Sequence, residues 1–216
     1  MPPQQQDKTC PPPPPPPPPS NPSTKISPYV QNLRSTPPSY LSQPPKPVDH
    51  SVPAPTGTYF FYGTLSDPSL LAEILSLGEE PVFRPAFARG FECMLWGQYP
   101  ALVSSGSRSD SESSSGSGSN SGSVVEGAAY HVQSVQHAER LVEYETGSYR
   151  AEACVIRYAD GEEPREERGF VFVFVGDRRE ISEGRFDLRV WLRRMGRGGA
   201  VERLDERRVG DDGGTG

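Results

Sequence analysis

The chain has 216 residues, a formal net charge of −6 and only 33% hydrophobic residues, beside 25 prolines and 22 glycines. This length admits one domain with tails, or two very small ones, and the composition is too poor in apolar residues for a chain folded throughout. The negative balance leaves no global basic field, which argues against general nucleic-acid binding. Cys10, Cys93 and Cys154 lie far apart, with no CxxC or Cys/His cluster. That spacing offers no zinc site, and a sparse, odd count fits a reducing compartment. The N-terminus, MPPQQQDKTC, lacks the apolar stretch of a secretory signal, and FVFVFV at 170–175 is too short to span a bilayer as a helix. The expectation is a soluble, cytoplasmic protein.

In chain order, residues 1–55 come first, a proline-rich stretch with nine consecutive prolines at 11–19. Proline lacks an amide donor and favours polyproline II, so this tail is expected to be disordered. Within it, Pro37, Pro38, Ser39 and Tyr40 match a WW-domain ligand, and Lys8 with the 11–19 run matches a loose SH3-ligand spacing. The predicted domain covers 57–196 and is interrupted by a flexible Ser/Gly loop at 104–123, which is read as joining neighbouring strands. Without tails and loop, about 120 residues remain, enough for one core. Residues 197–216 are charged and glycine-rich and read as a frayed tail, with a short helix as the alternative over AVERLDERRV.

Inside the domain, TYFFYG predicts an aromatic strand. DPSLLAEILSLG predicts a helix with Asp67 as N-cap, Pro68 at N1 and Gly78 as its stop. VFRPAFARGFECMLW reads as extended, with a break at Pro85. YPALV and VVEGAAYHV predict strands on either side of the serine loop. SVQHAERLVEY predicts a helix capped by Ser134, and YRAEACVIRYA and RGFVFVFVG alternate as strands do. EGRFDLRVWLRRMG predicts a last helix that buries Trp191 and its neighbours. Strands and helices mix without a βαβ rhythm, so the fold class is α+β, with a mixed, barrel-like sheet and flanking helices.

Two stretches carry chemistry. In TYFFYGTL, Gly63 permits a positive φ and close approach of another group, and the amides of Thr64 and Leu65 lie between strand and helix. Such amides suit a carboxylate or a developing oxyanion. The alternative is a glycine that serves only a tight turn. In LVEYETGSYRAEACVI, Glu143 and Glu145 stand where a helix pattern gives way to a strand. A carboxylate facing a cavity there becomes a base near neutral pH, and the alternative is a pair of solvated acids near Arg140 and Arg150. Tyr99 reads as core, His131 and His137 as structural or surface residues, and Cys93 and Cys154 as small core residues.

YFFYGTLSDPSLL, YPALV, VVEGAAYHV and LVEYETGSYRAEACVI occur in this order and at workable spacing. The chain resembles the gamma-glutamylcyclotransferase-like superfamily, in particular the fungal and plant branch related to avirulence-induced-gene proteins and to gamma-glutamylamine cyclotransferase. The resemblance spans about 57–196. It implies that Tyr62, Gly63, Thr64 and Leu65 hold a γ-glutamyl group, that Glu145 takes the catalytic glutamate's position, and that Tyr149 lines the pocket, although a core role is equally open to Tyr149. This sequence departs from the family pattern at Val142, where the family has aspartate, and at Thr146, where it has glycine. The implied reaction closes a γ-glutamyl group to 5-oxoproline and releases an amine, with no metal or organic cofactor. Free γ-glutamyl amino acids, γ-glutamyl-lysine cross-links and acylated carriers are the implied substrate classes. Glutathione ranks low, because its branch flanks the loop differently. The rival reading is a non-catalytic interaction protein, recruited through the proline-rich tail.

Overall fold

The computed structural model describes residues 26–44, 53–105 and 123–211, with 207–211 described by backbone alone. Eight strands and six helices follow one another: α1 (Pro28–Ser35), α2 (Pro38–Leu41), β1 (Gly57–Phe61), α3 (Pro68–Leu75), β2 (Arg84–Arg89), β3 (Phe91–Trp96), β4 (Tyr99–Ser104), β5 (Val124–Val132), α4 (Val135–Glu145), β6 (Tyr149–Tyr158), β7 (Glu166–Phe174), β8 (Ile181–Ser182), α5 (Leu188–Arg194) and α6 (Gly198–Asp211). Five strands close a barrel in the order β1-β5-β2-β6-β7, and β4-β3-β8 form a separate sheet. The α+β class with a barrel-like sheet is therefore what the chain adopts.

The barrel closes where β1 meets β7 in parallel, Tyr59 opposite Phe170 and Phe60 opposite Val171. Alternation along β7 explains the run FVFVFV. Val171 and Val173 join Phe60, Ala86, Ala88, Ala129 and Ile156 in one cluster, while Phe172 and Phe174 join Tyr59 and Phe61 beneath the helices. Mostly small and branched side chains pack around Phe60 in that cluster, while the rings on the other face of β1 and β7 meet the helices. At Gly169 a Cβ would lie 2.3 Å from the Thr58 carbonyl oxygen, so only glycine lets these strands approach at the seam.

Helix α3 starts on an Asp67 carboxylate that accepts from the Leu70 amide at 3.1 Å, with Pro68 at its head. It buries Leu70, Leu71, Ile74 and Leu75, each worth about 1.5–3 kcal/mol of apolar transfer. Helix α4 starts on Ser134, whose hydroxyl accepts from the His137 amide at 3.1 Å, and buries Ala138, Leu141 and Tyr144 on one face. The Arg140 guanidinium donates to the Leu75 carbonyl at 2.7 Å and ties α4 to the end of α3.

Several expectations shift. The break in the second extended stretch falls at Gly90, between β2 and β3, and not at Pro85, which lies inside β2 opposite Ala128. There the Pro85 carbonyl accepts from the Ala159 amide at 2.9 Å, so the ring costs no pairing on that side. The serine segment leads from β4 to β5, which belong to different sheets, instead of joining neighbours. Its residues 106–122, like the 11–19 proline run, lie outside the described residues. Within the stretch read as a disordered tail, residues 26–44 form α1 and α2 against the domain. Beyond residue 197 the chain continues as α6 and buries Ala200 and Val201. Arg197 fixes that end. Its guanidinium donates to both oxygens of Glu73, at 3.0 and 2.9 Å, and to the Ser69 hydroxyl at 3.1 Å. Among the described residues, no helix is long and apolar enough to cross a membrane.

Candidate active site

Four elements meet at one cavity: the turn after β1, the start of β4, the end of α4 with the start of β6, and the middle of β7. Tyr62, Gly63, Thr64, Leu65, Glu145 and Tyr149 all line it. All six positions that the family resemblance implied for the site thus line a common space, although they are up to 87 positions apart between Tyr62 and Tyr149. Thr36, Tyr99 and Tyr144 line it as well.

The β1 turn is a single 3-10 turn, Thr64–Ser66, running into α3. The amides of Ser66 and Asp67 donate to the Gly63 and Thr64 carbonyls at 3.0 and 3.1 Å. Among the described residues, no backbone carbonyl engages the amides of Thr64 and Leu65. Gly63 does not use a positive φ, since its φ is −129°. Its value is proximity: a Cβ there would stand 2.5 Å from Pro100 Cγ. Glycine is needed because β4 packs directly on the turn. The Thr64 hydroxyl lies 3.2 Å from the Tyr144 hydroxyl, both side chains being buried.

Glu145 is the last residue of α4, one past the buried Tyr144. The helix stops because Thr146 turns to φ 60° and ψ −176°. The residue is only partly buried, and it lines the cavity. Desolvation pushes its pKa up to about 8. A charged carboxylate loses hydration there, so the neutral form gains. Burial first, and the Glu145 charge after it, also hold the Tyr62, Tyr99, Tyr144 and Tyr149 hydroxyls above the usual phenol value. These tyrosines are un-ionised donors at any physiological pH. Tyr62 spends its proton on the Phe172 carbonyl at 2.7 Å and Tyr149 on the Pro100 carbonyl at 3.1 Å. Their rings shape the cavity while their hydroxyls brace its strands.

Tyr99 is buried, as expected of a core residue, yet its hydroxyl reaches the cavity and donates to the Asn32 carbonyl of α1 at 3.2 Å. The residues that sequence reasoning missed are this hydroxyl, Tyr144 and the α1 pair Asn32 and Thr36. Tyr144 carried a signal, a tyrosine beside the candidate glutamate; the α1 residues carried none. Glu143 is exposed and lies outside the cavity. His131 bonds Thr58 at 3.1 Å on the barrel surface, and His137 stands at the first turn of α4, both away from the cavity. Burial pushes the Cys93 and Cys154 thiols up to about 11 and about 12, as suits inert packing residues. Among the described residues, no group of three His, Cys, Asp or Glu side chains is placed to hold a metal. The Pro37–Tyr40 stretch, read as a WW-type ligand, lies on the domain, with the Tyr40 ring edge-on to Trp96 at 5.2 Å.

Two solution structures of Arabidopsis thaliana proteins are similar to the chain. One shares 20% identity over 68% of this chain and 87% of that one, with a TM-score of 0.43. The other shares 21% identity over 80% and 89% respectively, with a TM-score of 0.47. No match was found among the curated proteins. The family described as "Gamma-glutamyl cyclotransferase, AIG2-like" matches residues 59–191, more than half of the sequence and the whole stretch from β1 into α5. The chain belongs to that gamma-glutamyl cyclotransferase, AIG2-like family.

Proposed function

We propose that the protein cyclises a γ-glutamyl group to 5-oxoproline with release of an amine. One observation carries the reading: a carboxylate with a pKa near 8 shares a cavity with a turn whose Thr64 and Leu65 amides are unengaged by backbone. The α-amine of the substrate attacks its own γ-carbonyl carbon. A ring C–N bond forms, and the C–N bond to the leaving amine breaks. Glu145 takes a proton from the attacking nitrogen and returns it to the leaving one, a role suited to a base whose pKa lies near the working pH. The oxygen of the γ-carbonyl gains charge in the transition state, and the Thr64 and Leu65 amides are its proposed ligands. Tyr62, Gly63 and Tyr149 form walls that hold the substrate folded, so that nucleophile and carbonyl meet.

The test is release of 5-oxoproline by the full-length protein from γ-glutamyl amines, γ-glutamyl amino acids and γ-glutamyl-lysine. Turnover of one class is expected and names the substrate. A folded protein that releases none from any of them overturns the reading.

A further inference from the structure

The cavity that should receive a γ-glutamyl group is narrow. Its water-accessible volume is about 30 Å³. A water needs on the order of 10–15 Å³ on that measure, so the room suits about two waters and not a ten-atom substrate. Part of its wall comes from outside the family-matched region of 59–191. Helix α1 puts Asn32 and Thr36 into the cavity wall.

The helix is packed with its faces reversed. Gln31, Ser35 and Thr36 are its buried residues, whereas Tyr29, Val30 and Leu33 are exposed at 38, 41 and 54%. A helix held by the hydrophobic effect buries the other face. What holds α1 is a set of polar bonds to the cavity rim, beside the Tyr29 ring edge-on to Tyr144 at 6.1 Å. The Asn32 amide donates to the Tyr144 carbonyl at 2.7 Å, next to Glu145. The Tyr99 hydroxyl donates to the Asn32 carbonyl at 3.2 Å and also pairs with the Ser35 hydroxyl. Gln98 donates to the Ser35 carbonyl at 2.8 Å. Helix α2 adds Tyr40 on Trp96, and Pro37 seats against Gly97, where a Cβ would come within 2.8 Å of the proline ring. These bonds engage the hydroxyl and carbonyl groups that a polar substrate in the cavity would meet.

We infer that Pro28–Leu41 is an autoinhibitory strap, which occupies the polar contacts of the candidate active site and must lift before substrate enters. The inference rests on the proposed cyclotransferase reading for what the site does, but not for whether the site is covered. A strap held by polar bonds that solvent can replace, with its apolar face outward, opens at small cost. Opening frees the Tyr99 hydroxyl as a further substrate contact. Apparent affinity is lowered by the closed fraction, so loosening the strap raises it.

The experiment compares the full-length protein with the double variant Asn32→Ala/Ser35→Ala. Two readouts run side by side. The first is the rate at which a water-soluble carbodiimide labels Glu145, measured by mass spectrometry against exposed Glu139. This reports access and needs no substrate. The second is 5-oxoproline release. Loosening is expected to speed Glu145 labelling roughly tenfold and to raise kcat/KM by a similar factor, chiefly through KM. Unchanged labelling overturns the inference, since the segment then does not cover the site. Faster labelling with reduced turnover overturns it too, because the segment is then a wall that completes the site. Faster labelling with no turnover by either protein upholds the cover and refutes the cyclotransferase reading instead.

Discussion

Thr146 carries the clearest local strain in the site. Its φ of 60° with ψ of −176° lies in a region that is essentially reserved for glycine. A side chain there costs about 1–3 kcal/mol. Thr146→Gly removes that cost. It also removes the bond from the Ser148 amide to the Thr146 hydroxyl, which at 3.3 Å is long and worth about 0.5 kcal/mol. Glycine's freedom in the unfolded chain takes back a further 0.5–1 kcal/mol or so. At the centre of these ranges the balance is a gain of about 0.75 kcal/mol, or roughly 2–4 °C in Tm for a domain of this size. Urea denaturation of both proteins, read as a shift in midpoint at constant slope, measures it. An unchanged or lower midpoint refutes the reasoning, because the backbone at 146 would then not be strained. A glutamate that ends a helix needs a successor able to turn the chain at once into β6, and glycine does so without strain.

Gly63→Ala should cost about 1–3 kcal/mol and at least tenfold in kcat/KM, because its Cβ would stand 2.5 Å from a stiff proline ring and force the turn off β4; retained activity and stability would show that the turn yields freely. Arg197→Ala should lower stability by about 2–4 kcal/mol, since the guanidinium is only 10% exposed and its loss removes a largely buried ion pair with Glu73 and a longer one with Asp67; thermal unfolding reads this, and a loss below about 0.5 kcal/mol would contradict it. Glu145 binds its proton more tightly folded, at about 8, than at its ordinary 4.5. The stability from that proton is complete below the lower value and is lost as pH rises through the upper one. Glu145→Gln should therefore gain on the wild type by about 2–4 kcal/mol between pH 5 and pH 9, with allowance for the open mouth; a urea midpoint difference that stays constant with pH would refute the desolvated carboxyl.

The lining of the candidate site was legible in the sequence only in combination. YGTL after a strand and Glu145 at the end of a helix are each weak patterns alone, their order along the chain marked them together, and the barrel brings them to one cavity. The caps at Asp67 and Ser134 and the alternation of FVFVFV were readable because each is local. What escaped was long-range. Helix α1 is polar on its buried face, so periodicity gave no reason to dock it, and prolines around it argued for an open tail. The pause at Gly90 was hidden by the stronger signal of Pro85, whose missing amide proved harmless in β2. Helix α6 is charged over most of its length, and its anchors, Arg197 ahead of it, the buried Ala200 and Val201 and ion pairs through Arg203 and Asp205, have no sequence signature.

The pH dependence of 5-oxoproline release, measured on the best substrate for the wild type and for Glu145→Gln, tests the central claim most directly. The wild-type rate should climb with pH, pass half its plateau near pH 8, where the carboxyl is half ionised, and level off above that. The folded glutamine variant should lose roughly 10²–10⁴ of kcat, as expected for removal of a general base. A glutamine variant that keeps the wild-type rate, or a wild-type profile flat from pH 6 to about pH 9, would show that Glu145 is not the base.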